Sequence, residues 1–597
     1  MTLTQGATLT TRRVDGPALA QTPFYLRLDA HQVFAFYHEP AENSASDIGV
    51  LMCPPFGWEE VCSYRSRRAW AEDLAGRGYG VLRIDFPGSG DSAGSPRDPG
   101  RVQAWSDSIA VAAAWLRAQT GASRIVAIGV GLGGMMAVQA LSQGATVDDL
   151  VLWAVPSRGR ALVRELDVFA RLEVEWSGET PPPDEAGGLT AGGFAMSDET
   201  LGALRALNLT DLELPPAAQR RVLLLERDGL APDARLRAHL EAAGAAVEIA
   251  PGDGYGRMMD DPRWAQSPRS VFATTAAWLA AAPPSQLASA PPTEDQPTAN
   301  QTMELASEGR RIRETPLWID AGGPSLFGIL AEPVDQPRSP VCAVLLNAGP
   351  VRRIGPNRMW VEASRRWAAD GVATLRVDMH ALGDSEGDEV RYTSDNAYYV
   401  PDLTEYTLKL LSELERRGLP GSFFLAGLCS GAYWSFRAAL RDPRVRGGLL
   451  INLWSFFWTR SLYLDREFRR ARVLIRKRQH LRWAGVMLAL GILRLPGLAF
   501  RAARRRRRIE LALKQLAALG TQLSFVFSTS EPLLAELSVR ELWSRLATIP
   551  GMTLERLPTG DHTLRAPAYQ RHLHGALDAA LARTLTRVAA QEDGRAT

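Results

Sequence analysis

Cysteine is scarce in this chain and histidine nearly so. Four cysteines (Cys53, Cys62, Cys342 and Cys429) and eight histidines are spread over 597 residues. No CxxC pair and no ladder of spacings links the cysteines, so neither a disulfide framework nor a zinc site is expected. No metal or cofactor motif is read elsewhere. The opening residues Met1-Thr-Leu-Thr-Gln-Gly have no basic n-region and no apolar run, so no secretory signal is expected. A cytoplasmic protein with reduced thiols follows. Net charge is only +2 and says little by itself, while 46% hydrophobic and 22% charged residues are the shares of an ordinary globular protein. The length exceeds what one core supports, so at least two domains are expected.

What the sequence does contain is a repeat. Val81-Leu-Arg-Ile-Asp85-Phe-Pro-Gly88-Ser-Gly90-Asp91-Ser92 returns, 293 residues later, as Thr374-Leu-Arg-Val-Asp378-Met-His-Ala-Leu-Gly383-Asp384-Ser385. Arg124-Ile-Val-Ala-Ile-Gly129-Val-Gly131-Leu-Gly133 returns as Ser422 to Gly431, at an offset of 298. Two motifs returning in order at nearly one spacing predict tandem duplicated domains. Each half alternates short, uniformly apolar runs with helical patterns, the signature of βαβ units around a parallel sheet. Pro-, Ala-, Ser- and Thr-rich residues separate them. The division is a first domain over 1–280, a linker over 281–312 and a second domain over 313–590.

The second copy carries the chemistry. Phe423-Phe-Leu-Ala-Gly427-Leu-Cys429-Ser430-Gly431-Ala432 reads as a buried strand turning sharply into a helix, in the frame glycine–x–nucleophile–x–glycine. The glycines are needed because such a turn brings backbone against backbone. The residue at the apex projects alone at a helix N-terminus, where the dipole favours a thiolate.

With D-x-x-x-x-G-D-S-x-G after one strand and this elbow after the next, both halves resemble the α/β-hydrolase fold, over about residues 24–280 and 315–590. Pro54-Pro-Phe-Gly-Trp-Glu59-Glu60, Asn347-Ala-Gly349-Pro350 and Gly355-Pro-Asn-Arg358 are more narrowly similar to the exosortase-associated, serine-aminopeptidase-like hydrolases. The resemblance implies a mostly parallel sheet flanked by helices and a nucleophile–acid–His order. On that order Cys429 is the nucleophile, with Ser430 as the alternative attacking group. Glu531 is the acid, with Glu536 as its fallback, and His562 of Gly560-Asp561-His562 is the base. The acid fixes the imidazole tautomer, and the imidazole moves the proton. The backbone N–H groups of Ser430 and Gly349 are the expected oxyanion hole. Asp384 and Ser385 are read as shaping their loop.

In the first half Gly131 stands where Cys429 does, no histidine follows the last strand, and Pro55, near the Gly349 position, has no N–H to donate. Asp228 is left as an orphan acid. That domain is expected to contribute no catalytic side chain, and scaffolding, partner binding or shaping of the second domain's entrance remains open to it.

A large basic lid is expected at about 455–520. Residues 459–508 hold sixteen Lys and Arg against Asp465 and Glu467, ending in Arg504-Arg505-Arg506-Arg507-Arg508. Its apolar stretch from Trp483 to Phe500 is interrupted by Arg494 and Pro496, which reads as a lid helix over an acyl pocket rather than a span. The arginine run suits an acidic donor such as an acyl carrier protein or coenzyme A, or peripheral contact with anionic lipid. A solvated helix face is the plainer reading. No aromatic-basic platform points to nucleic acid. The sequence thus predicts an acyl-transfer enzyme, hydrolase, thioesterase or acyltransferase, acting on an ester or thioester through an S-acyl-cysteine. Poly-hydroxyalkanoate synthases use a comparable cysteine elbow. The alternative from another class is a non-catalytic carrier-protein- or lipid-binding scaffold.

Overall fold

The computed structural model describes residues 20–28, 31–41, 46–177, 184–216, 219–283, 298–392, 394–458, 495–529, 531, 533, 540–557 and 560–596. Two nine-stranded sheets dominate it. In the first, the parallel strands run in the order Ala246–Ala250, Arg221–Leu225, Asp149–Trp153, Arg124–Val130, Ile48–Cys53 and Gly80–Ile84, and the antiparallel pair His31–His38 and Gln21–Leu28 follows. The second repeats this plan: Met552–Arg556, Gln522–Phe527, Val445–Ile451, Ser422–Leu428, Val341–Leu345, Thr374–Asp378, then antiparallel Leu326–Pro333 and Arg310–Ile319. The central strands are fully buried because helices cover both faces. This is the α/β fold that the alternating pattern predicts.

The expected linker is partly strand. Ala299–Asn300 pairs with Leu26 and Tyr25 at the edge of the first sheet, and Met303–Ser307 pairs with Arg310–Ile319 in the second. Met303 is buried there among Phe34, Phe36 and Phe327. Residues 284–297, like most of the expected lid (459–494), lie outside the described residues. The last part of the lid region is the helix Leu495–Ala518, whose Ile509, Leu513 and Leu516 are buried in the core of the second sheet.

The duplicated motifs build the same loop twice. Asp91 N donates to Asp85 (2.9 Å) as Asp384 N does to Asp378 (3.1 Å). The Ser92 hydroxyl donates to the Asp85 carbonyl (2.6 Å) and the Ser385 hydroxyl to that of Asp378 (2.6 Å). The two domains then dock through these equivalent surfaces. Arg83 of the first pairs with Asp384 of the second (2.7 Å), and Arg376 of the second with Asp91 of the first (3.1 Å). Phe34 and Phe327, again 293 residues apart, face one another at 6.4 Å. An interface in which each patch meets its own counterpart is how two copies pack about a two-fold axis. Its ion pairs are almost wholly buried, so removing one partner costs about 3–5 kcal/mol.

Candidate active site

The elbow forms where the glycine spacing requires it. A Cβ on Gly427 would lie 2.2 Å from the Gly431 carbonyl carbon, and one on Gly431 would lie 2.4 Å from the Asn347 carbonyl oxygen. Cys429, at the turn, has φ 59° and ψ −108°. A left-handed backbone at a non-glycine residue costs roughly 1–3 kcal/mol and persists where the surroundings impose it. Here Cys429 N donates to Ile451 O (2.9 Å), and its carbonyl accepts from Tyr433 N (3.2 Å) at the start of the helix Ser430–Ala439. The four thiols are all free, and three are buried. Burial pushes the Cys53 and Cys62 thiols far up and the Cys342 thiol up to about 12. Cys429 alone is half-buried and at a helix N-terminus.

His562 follows the strand Met552–Arg556, and its Nδ1 lies 2.5 Å from Glu531 Oε1. Burial disfavours the imidazolium, but the Glu531 carboxylate and the Cys429 sulfur outweigh it and raise the ring to about 10. A carboxylate can only accept, so Nδ1 carries a proton. Nε2 is buried with no hydrogen-bond partner among the described residues. Glu531 is itself buried, with Ser528 Oγ 3.5 Å away. Glu536 lies outside the described residues.

Ser430 and Gly349 meet directly: Gly349 N donates to Ser430 Oγ at 3.1 Å. Gly349 has φ 57°, and the direction of its absent Cβ is open space. Arg504, Arg507 and Arg508 are exposed, and Arg505 and Arg506 half-buried. Arg505 donates to Ser455 Oγ (3.2 Å), and Arg508 lies over the Phe457 ring at 4.0 Å. Arg505 and Arg508 therefore pack on the segment that leaves the strand Val445–Ile451.

Several site residues escape the sequence reading. The Tyr399 hydroxyl lies 3.5 Å from Cys429 Sγ. Its ring stacks on Trp458 at 3.9 Å and meets Tyr433 edge-on at 5.1 Å. The Trp454 ring packs on the His562 ring at 4.9 Å, its Nε1 3.1 Å from Nδ1, whose proton is already given to Glu531. Asn452 joins the acid and base loops, donating to His562 O (2.6 Å) and accepting from Ser528 N (2.8 Å). Asn452 and Trp454 follow the carboxyl end of a parallel strand, where ligand-facing loops gather, and that position is the only signal for them. The first domain also reaches this region. Arg263, gripped by Asp261 at 2.8 and 3.0 Å, is held in its charged form by that hydrogen bond, with Asp395 and Cys429 adding to it.

The corresponding site of the first domain has been filled. Gly131 keeps the elbow conformation, with φ 52° and ψ −118°. The Glu59 carboxylate sits 3.3 Å from where a Cβ would be and accepts from Tyr255 Oη at 2.8 Å. Asp228 accepts three backbone N–H groups, from Gly254, Tyr255 and Gly256, and so shapes a loop rather than orienting an imidazole. Asp228→Asn should leave turnover within a few-fold of wild type in steady-state assays. A thousandfold loss, roughly 4 kcal/mol, in a folded variant would refute the reading of this domain as chemically inert.

The family model of the alpha/beta hydrolase fold matches residues 50–186, which lie within the domain without the elbow cysteine. Among solved structures, Est1E from Butyrivibrio proteoclasticus, bound to ferulic acid, is 16% identical, with 43% of this chain and 98% of that chain covered and a TM-score of 0.32. XC6422 from Xanthomonas campestris, described as an a/b serine hydrolase without lid, is 14% identical over 45% and 96%, with a TM-score of 0.29. A dienelactone hydrolase from Anabaena variabilis is 12% identical over 46% and 95%, also with a TM-score of 0.29. A comparison with curated proteins finds none that matches. The family model thus places residues 50–186 in the alpha/beta hydrolase fold, and the second sheet repeats the strand plan of the first. Among the described residues no helix is long and apolar enough to cross a membrane, and no group of three or more His, Cys, Asp or Glu side chains is placed to hold a metal ion.

Proposed function

We propose that this α/β-hydrolase-fold protein is an acyl-transfer enzyme working through an S-acyl-cysteine on Cys429. The observation that carries the reading is the convergence of one carboxylate, one imidazole and one half-buried elbow thiol, with the imidazole raised to about 10 by the other two. The Cys429 thiolate attacks the carbonyl carbon of an ester or thioester, forming a C–S bond. The oxyanion is met by the N–H of Ser430 and by that of Gly349, which leaves Ser430 Oγ to reach it. The His562 imidazolium gives its Nε2 proton to the departing alkoxide or thiolate. Water or another nucleophile then attacks the thioester while Nε2 takes its proton, and the sulfur leaves. Tyr399, Tyr433, Trp454 and Trp458 supply an aromatic wall suited to an apolar acyl chain. Intact-protein mass after incubation with acyl thioesters tests the reading. Wild type should gain one acyl group and Cys429→Ala none, and an equal adduct on both would overturn it.

The exposed arginines of the lid helix serve encounter with an anionic donor, such as a carrier protein or coenzyme A. Arg504→Gln with Arg507→Gln removes charge without touching the Ser455 and Phe457 contacts of Arg505 and Arg508. The pair should raise KM for a coenzyme A or carrier-bound substrate, less so as salt shortens the Debye length from about 8 Å at physiological strength. kcat on a small neutral thioester should hold. Equal losses on neutral and anionic substrates would refute steering, and lost liposome binding with unchanged carrier kinetics would point to lipid.

A further inference from the structure

The turn that carries Gly349 is suspended between the two domains. Its upstream end belongs to the second domain: Asn347 Nδ2 donates to Asp378 Oδ1 (3.0 Å), and Met379 N donates to Asn347 Oδ1 (2.7 Å). Its downstream end is gripped by the first. Arg352 reaches Asp85 at 3.0 Å and Glu60 at 3.1 Å, and Arg353 reaches Asp91 at 2.8 Å. Arg353 also pairs with Asp378 and Asp384 of its own domain, so it staples the two duplicated loops together. All of these side chains are almost fully buried.

Arg358 closes the segment in an unusual way. Its guanidinium donates to four carbonyls of one first-domain loop, those of Gly88, Gly90, Ser92 and Gly94, at 2.8–3.2 Å. Burial, with Arg365 nearby, lowers it to about 9. Its own backbone is left-handed, at φ 65°. A buried guanidinium held by carbonyls alone, on a strained backbone, is a costly anchor, and it is set in a loop of the domain that lacks the elbow cysteine.

We infer that the first domain is a positioning element for catalysis in the second: through Glu60, Asp85, Asp91 and the carbonyls of 88–94 it fixes residues 352–358 and so holds the Gly349 N–H against the elbow at Ser430. The inference rests on the acyl-cysteine reading above. An oxyanion donor works only if it is preorganised, and loss of one costs about 10²–10³ in kcat. A donor whose supports are loosened loses part of that.

Two full-length variants test this. Asp91→Asn keeps the shape but removes the charge facing Arg353, Arg352 and Arg376. Arg358→Met removes an anchor whose hydrogen bonds go to carbonyls only, so it leaves no buried carboxylate stranded and decides the matter if Asp91→Asn does not fold. Each is assayed for thioester turnover and, separately, for the rate at which iodoacetamide alkylates Cys429. Alkylation needs the thiolate and His562 but develops no oxyanion. The expected result is a kcat at least tenfold lower with KM within about twofold, and an alkylation rate and pH dependence equal to wild type. Unchanged kcat, or turnover and alkylation falling together, would overturn the inference. Turnover that survives complete alkylation of wild-type Cys429 would instead overturn the nucleophile assignment.

Discussion

Cys429→Ala is expected to remove both the acyl adduct and turnover, with kcat falling on the order of 10⁴–10⁶-fold, as when the nucleophile of a concerted triad is deleted. The size follows from the mechanism, since no bond can form to the acyl group without the sulfur, and what remains is binding and the oxyanion site. Ser430→Ala is the control that gives the result its meaning. Ser430 is next in sequence and carries the other nucleophilic atom at the elbow, but its hydroxyl is buried and accepts the Gly349 N–H. Loss of that contact forfeits one hydrogen bond, about 0.5–1.5 kcal/mol, and so about tenfold or less in turnover. Cys429→Ser lies between the two, since a hydroxyl is a poorer nucleophile against the same histidine, and slow esterase activity is its expected remainder. Retained turnover in Cys429→Ala with loss in Ser430→Ala would move the nucleophile by one residue.

The parts of this molecule that were legible in the sequence are those under local backbone constraint. Gly427, Cys429 and Gly431 announce the elbow because no side chain fits where the two glycines sit. The two D-x-x-x-x-G-D-S loops announce the duplication because each closes on its own hydrogen bonds within seven residues. What was hidden depends on distant partners. Tyr399 meets Cys429 from 30 residues upstream and Trp454 meets His562 across 108, and neither sits in a periodic or glycine-marked context. Gly355-Pro-Asn-Arg358 was visible as a family mark, yet its purpose lies in carbonyls more than 260 residues away. Short edge strands within 281–312 were masked by a composition that reads as linker. In the arginine run, the three-residue spacing of Arg505 and Arg508 places both on contacts with the strand-exit segment, which a count of charges does not reveal.

The duplication ties these observations together. Equivalent loops in the two halves still pair as they would in a symmetric dimer, through Arg83 with Asp384 and Arg376 with Asp91. The symmetry breaks at the sites themselves, where Glu59 and Tyr255 fill one and His562 with Glu531 furnishes the other. Arg352 and Arg353 belong to the second half only, at positions held in the first by Glu59 and Glu60 when the offset of 293 is applied, whereas Arg358 falls on another arginine, Arg65.

Glu531→Gln should cost roughly 10²–10⁴-fold in kcat/KM at neutral pH, the range seen when the acid of a triad is neutralised with its shape kept. The physical cause is the charge state of His562. Burial pushes the imidazole down; the Glu531 carboxylate is the first of the influences that push it up to about 10. Without that charge the burial penalty is left to the sulfur alone to oppose, so the ring falls toward or below its ordinary 6.5. The sign is fixed: in wild type the ring stays protonated through the neutral range and loses its proton only as pH rises toward 10, whereas in the variant it is already neutral at pH 7–8. Two things then fail together. The cation beside the Cys429 sulfur is gone, and Nε2 holds no proton to give the leaving group. The pH profile of kcat/KM, which reports the acid of the free enzyme, should show its alkaline limb near 10 in wild type and displaced by several pH units in Glu531→Gln. Glu536→Gln, at the fallback position, should leave the limb where it is. An alkaline limb unmoved in Glu531→Gln but displaced in Glu536→Gln would transfer the role of the acid to the second residue.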